Sequence, residues 1–142
     1  MVHSLLTAVT KQLGTTFGTS YHYYVEDVKQ GIAKPCFTID TLMPITRSKS
    51  AVLYDRTIPV VIHYFGDSKD NLKNDCYDKG EQIIECLEYL PFKSALLRGE
   101  DISFNIVDEV LQVFITYRFT TTKVTPLEDG METFDETIAQ VQ

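Results

Sequence analysis

The alternation of apolar and polar positions is most informative between Arg56 and Phe119, where its period changes twice. Val60-Val61-Ile62-His63-Tyr64-Phe65 is a strand-length apolar run. From about Asp70 to Leu90 the spacing lengthens: Leu72, Cys76, Gly80, Ile83, Leu87 and Leu90 recur at steps of three and four, flanked by Tyr77 and Ile84. This is one stripe of an amphipathic helix, with Asp75, Asp78, Lys79, Glu81, Gln82, Glu85 and Glu88 turned towards water. Such a helix is roughly 30 Å long and covers a small sheet from edge to edge. Gly80 interrupts the stripe at a cost of about 1 kcal/mol relative to alanine, so it marks the closest approach of helix to sheet. Farther on, Leu111, Val113, Ile115, Tyr117 and Phe119 alternate strictly with Gln112, Phe114, Thr116 and Arg118, as in a half-buried strand. Ile102, Phe104 and Ile106 form its hairpin partner across Asp108-Glu109, although a tight turn there favours glycine at its second position.

The flanks add smaller elements. Leu5, Leu6, Val9, Leu13 and Phe17 make a helical stripe, with Ser4 as N-cap and Gly18 as stop. Tyr21 to Val25 reads as a short aromatic strand, closed by Glu26-Asp27 and a turn around Gly31. After Pro35, a strand from Cys36 to about Ile45 places Phe37, Ile39, Met43 and Ile45 on one parity, and a return strand runs from about Val52 to Phe65. The two form a long hairpin whose outer part leaves the body, with an exposed basic tip from Arg47 to Ala51. Pro59 lacks an N–H and predicts an edge, bulge or bend. Lys93 to Leu97 is a short strand or loop, and Thr120 to Lys123 with Pro126 end the compact body. Met131, Phe134, Ile138 and Val141 are spaced as one face of a short C-terminal helix, expected to dock on its own domain or, as the alternative, on a neighbour.

The predicted fold is therefore α+β: a mainly antiparallel sheet of about five strands with a long helix and an N-terminal helix packed on it, a protruding β-hairpin and a short C-terminal helix. At 142 residues one domain is expected, over 1–122, followed by an acidic segment, 123–142.

Charge and chemistry narrow the function. A net charge of −7 without a dense basic patch argues against nucleic-acid binding, which needs clustered Lys and Arg. Hydrophobic content of 44% is globular, and no apolar run approaches a bilayer span, so no membrane contact is expected. Cys36, Cys76 and Cys86 are odd in number, without CxxC spacing or a leader, which suits a reduced intracellular chain with structural cysteines. Catalytic signatures for acyl, phosphoryl, dinucleotide or metal chemistry are missing, and no cofactor is expected. Cys36 with His63 across the hairpin is the one nucleophile–base pair to weigh, and neither an oxyanion hole nor a third member accompanies it. Exposed-parity Tyr24, Leu42 and Phe114 suit contact with other proteins instead.

Tyr23-Tyr24-Val25-Glu26-Asp27-Val28-Lys29-Gln30-Gly31, Lys34-Pro35-Cys36-Phe37, Tyr54-Asp55-Arg56, Val61 to Phe65, Cys76-Tyr77 and the run from Val107-Asp108 to Phe119, after an N-terminal helix, resemble the tail terminator, or tail completion, proteins of phages and prophages of Gram-positive bacteria. The resemblance covers about Leu5 to Phe119 and departs at Glu109, where glycine is expected after Asp108. It implies a virion protein, assembled in the host bacterial cytoplasm, that stops the tail tube at its head-proximal end. It further implies a ring, commonly a hexamer, that touches the tube protein and head–neck proteins while DNA passes without specific binding. A neck adaptor or other minor tail protein is the nearest alternative. Surfaces expected to meet neighbours are Arg47, Ser48, Lys49 and Ser50 at the hairpin tip, Asp108 and Glu109 at the second turn, Phe114 on the strand, and Met131 and Phe134 in the tail.

Overall fold

The computed structural model describes residues 1–25, 33–67, 72–123 and 136–141, with Lys123 and 136–141 described by their backbone alone. Among these residues, two helices and eight strands follow one another as α1 (Val2–Phe17), β1 (His22–Val25), β2 (Cys36–Thr41), β3 (Ile45–Ser48), β4 (Leu53–Phe65), α2 (Leu72–Leu87), β5 (Tyr89–Phe92), β6 (Ala95–Val107), β7 (Val110–Lys123) and β8 (Glu136–Val141). The class is α+β. The sheet runs β1-β2-β4-β7-β6-β5, with β3 added beside β4 and β8 beside β7. It has more than the expected five strands, and the β1–β2 pair is parallel rather than antiparallel.

One sheet face is apolar because the alternations of neighbouring strands fall into register. Ile58, Val60, Ile62 and Tyr64 of β4 lie opposite Tyr117, Ile115, Val113 and Leu111 of β7, and all eight are buried. Phe37 and Ile39 of β2 continue the row beside Tyr64 and Ile62. The helices lie over this face, α1 through Leu5, Leu6, Val9 and Leu13, and α2 through Cys76, Gly80, Ile83 and Leu87. A Cβ on Gly80 would stand 3.1 Å from the Phe104 ring of β6, so this glycine does permit a close helix-to-sheet approach.

Helix boundaries differ from expectation in instructive ways. α1 starts at Val2 with Met1 as its cap residue, making no side-chain cap bond, so Ser4 is inside the helix rather than capping it. Gly18, at φ 85°, does close it, its N–H donating to the Gly14 carbonyl at 2.9 Å. α2 ends at Leu87, and Leu90, expected on the helical stripe, is buried from strand β5 instead. The carbonyls at the helix end are claimed from outside: the Tyr117 hydroxyl donates to Leu87 O at 2.6 Å, and Gly99 N–H to Glu88 O at 2.7 Å.

The hairpin forms, but not as two uninterrupted strands. Leu42 to Pro44 separate β2 from β3, and three residues there oppose only Ile58 and Pro59. The extra residue reverses side-chain parity. Ile39 faces the helices beside Ile62, whereas Ile45 pairs with Thr57 on the other face, and Met43 is 73% exposed instead of inward. Pro59 causes the break: its carbonyl accepts Leu42 N–H at 3.1 Å and Thr41 Oγ1 at 2.7 Å, so its missing N–H also points towards the interruption.

Two further expectations are corrected. Thr120 to Lys123 continue β7 rather than ending the body, and Thr120 and Thr121 are buried. The predicted C-terminal helix is a strand over 136–141, whose Ile138 pairs with Thr121 and Val141 with Phe119. β7 outruns β6 along that edge and leaves backbone donors and acceptors for β8 to satisfy, which a helix would not do. Met131 and Phe134 lie outside the described residues.

Candidate assembly surface

The nucleophile–base pair does not form. Cys36 pairs in register with Phe65 and His63 with Thr38. The thiol is fully buried, and burial raises its pKa while Lys34 pulls the other way. His63 is half-buried on the face turned away from α1 and α2; burial lowers its pKa against an opposing pull from Asp40. All three cysteines are free thiols. Among the described residues, no group of three or more His, Cys, Asp or Glu is placed to hold a metal ion. No helix among them is long and apolar enough to cross a membrane.

The residues expected at contacts fall in three places. Arg47, Ser48, Lys49 and Ser50 form the tip between β3 and β4, where every β3 residue is exposed. The tip holds its shape through local bonds: Lys49 N–H donates to Leu53 O at 2.8 Å, Ser48 Oγ to Ser50 O at 3.1 Å, and Ser50 Oγ accepts from the Val52 and Leu53 N–H groups. Lys49 Nζ stands 3.7 Å from Asp55, an exposed ion pair of small worth, and Asp55 also accepts Thr120 Oγ1 at 2.8 Å. Leu42 at 58%, Met43 at 73% and Val52 at 46% exposure give this basic projection apolar flanks. Only Leu42 was legible as a contact residue; Met43 was masked by the parity reversal, which Pro44 and Pro59 signal together.

The second place is the far end of the same strands. Asp108 and Glu109 join Val107 to Val110 in a two-residue turn, with φ of 51° and 65°. Positive φ at both positions is the type I′ hairpin geometry, which resolves the turn that Glu109 left open. A non-glycine residue in this region costs on the order of 1 kcal/mol. The turn borders a cleft of about 510 Å³ whose floor is Phe65, Gly66, Leu72 and Val110 and whose rim carries Lys34, Asp67, Asp108 and Glu109. Sequence reasoning did not bring Lys34, Asp67 and Leu72 to this turn, because only the strand register joins the end of β4 to the start of β7. The third place is Phe114, half-buried on the face turned away from α1 and α2, opposite Val61 and Ser103, rather than fully exposed.

A family model described as phage tail terminator protein matches residues 4–129. The chain belongs to the phage tail terminator family. That match takes in α1 from residue 4 onwards, the whole of α2, the hairpin tip and the acidic turn. Membership makes the chain a phage tail component of a structural family, with other tail and neck proteins as its interaction partners. No curated relative matches the sequence.

Proposed function

We propose that this terminator caps the head-proximal end of the tail tube as a ring, of six copies in the usual arrangement, and presents the joining surface to the neck. The family match over 4–129 carries this reading. The fold supports it physically. A ring needs contacts between two different patches of one subunit, and the hairpin tip and the acidic turn are different in chemistry and far apart. A net charge of −7 suits a bore through which DNA slides, because like charge keeps phosphates from adhering.

Cryo-electron microscopy of particles carrying a tagged copy tests the placement. Tag density in a ring at the upper end of the tail is the expected result; its absence there ends the proposal.

A further inference from the structure

We infer that the basic hairpin tip of one copy seats in the acidic cleft of the next, so that the ring closes head to tail. This rests on the ring proposed above and adds which surface meets which. Both surfaces are unfinished alone. The tip exposes Arg47 and Lys49 with Val52 beside them, and its shoulder exposes Leu42 and Met43; within the tip only Asp55 faces the two cations. The cleft is concave and apolar at its floor, through Phe65, Leu72 and Val110, and among its described lining Lys34 stands against three carboxylates, Asp67, Asp108 and Glu109. Val107, 44% exposed at the adjoining β6 end, extends the apolar lip against which Val52 of the seated tip rests. Charge and shape are thus complementary: a cationic, apolar-flanked projection and an anionic, apolar-floored recess.

The strand register makes the contact intermolecular. Leu53, next to the tip, pairs with Thr122, and Tyr64, next to the cleft, pairs with Leu111, all on one continuous ladder of β4 with β7. At 3.2–3.4 Å per residue that ladder spans about 35 Å. A chain cannot bring its own tip round to its own cleft without breaking it. The register thus leaves another chain as occupant; the proposed ring and the match of a cationic tip to an anionic recess make it a second copy, in a heterologous contact that closes into a ring when the rotation allows.

Two experiments on tails purified from the phage test this. In a Cys86→Ala background, Lys49→Cys with Glu109→Cys is treated with a short bismaleimide. The expected product is a ladder of covalent oligomers from tails, with each single-cysteine chain giving none beyond a dimer. In parallel, Lys49→Glu and Glu109→Lys each lower the copies retained per tail at least tenfold, and the two together restore them. Wild-type chain on tails, with no ladder and no restoration by the folded double variant, overturns the docking while leaving the ring. Wild-type chain absent from tails overturns both.

Discussion

The inner and outer halves of the sheet use the same two strands for opposite ends. In the inner half, β4 and β7 turn Ile58, Val60, Ile62, Val113, Ile115 and Tyr117 towards two helices, and every one is buried. In the outer half, the same side of the row passes from buried Phe119 and Thr121 of β7 to half-buried Tyr54 and Arg56 of β4, and β3 beside them is exposed throughout. Hydrogen bonding is continuous along the ladder, so pairing does not distinguish the halves; apolar burial does on β4, where it ends at Ile58, and on β3, which has none. Stability should therefore reside in the inner half and contact chemistry in the outer one and at the opposite turn.

The sharpest way to break that comparison is truncation of one β4 residue in each half. Ile62→Ala, in the helix-covered half, should cost about 2–5 kcal/mol through lost transfer energy and a residual cavity. Thr57→Ala, five residues outward on the same strand, should fall within about 0.5 kcal/mol. Urea unfolding of both variants measures the difference, and equal losses would refute the division.

A smaller effect tests the seam between helix and sheet. Tyr117 is fully buried and donates to Leu87 O at 2.6 Å, and burial drives its hydroxyl pKa well above the ordinary tyrosine value. Tyr117→Phe keeps the ring but strands a buried carbonyl, at about 1–3 kcal/mol. A midpoint unchanged in urea would show that the α2 terminus has another donor.

Much of the inner half was legible because its residues repeat. Leu5 to Leu13 on α1, Cys76 to Leu87 on α2 and Leu111 to Phe119 on β7 follow periods that only one kind of element satisfies, and packing on both sides agrees with them. The outer half escaped because single residues decide it. One extra residue at Leu42–Pro44 turns Met43 and Ile45 away from the helices. Thr120 to Lys123, polar enough to read as a terminus, extend a strand whose free edge recruits β8 in place of the predicted helix. The acidic cleft was hidden for another reason: Lys34, Asp67 and Asp108 are distant in sequence and meet only through register.

The acidic turn offers a gain rather than a loss. Glu109→Gly removes a side chain from positive φ and should stabilise by about 0.5–1 kcal/mol, after allowing for the extra freedom glycine gives the unfolded chain. Tm of the purified chain measures it. If the same variant, more stable as a subunit, is retained more weakly on tails, then the strained glutamate serves contact rather than folding.

The smallest expected change in stability is the most discriminating. Arg47→Glu with Lys49→Glu leaves the tip's backbone bonds in place, because those run among Ser48, Lys49 N–H, Ser50 and Leu53 and need no cation. The single ion pair lost, Lys49 with Asp55 at 3.7 Å, is exposed, so unfolding should shift by less than about 1 kcal/mol. Retention on tails should nevertheless fall at low salt, since the reversed tip now faces like charge across the contact. A folded double variant retained like wild type would show that the projection meets no acidic surface. A variant that loses retention only by unfolding would show that the outer half carries stability after all, and the two halves would no longer differ in kind.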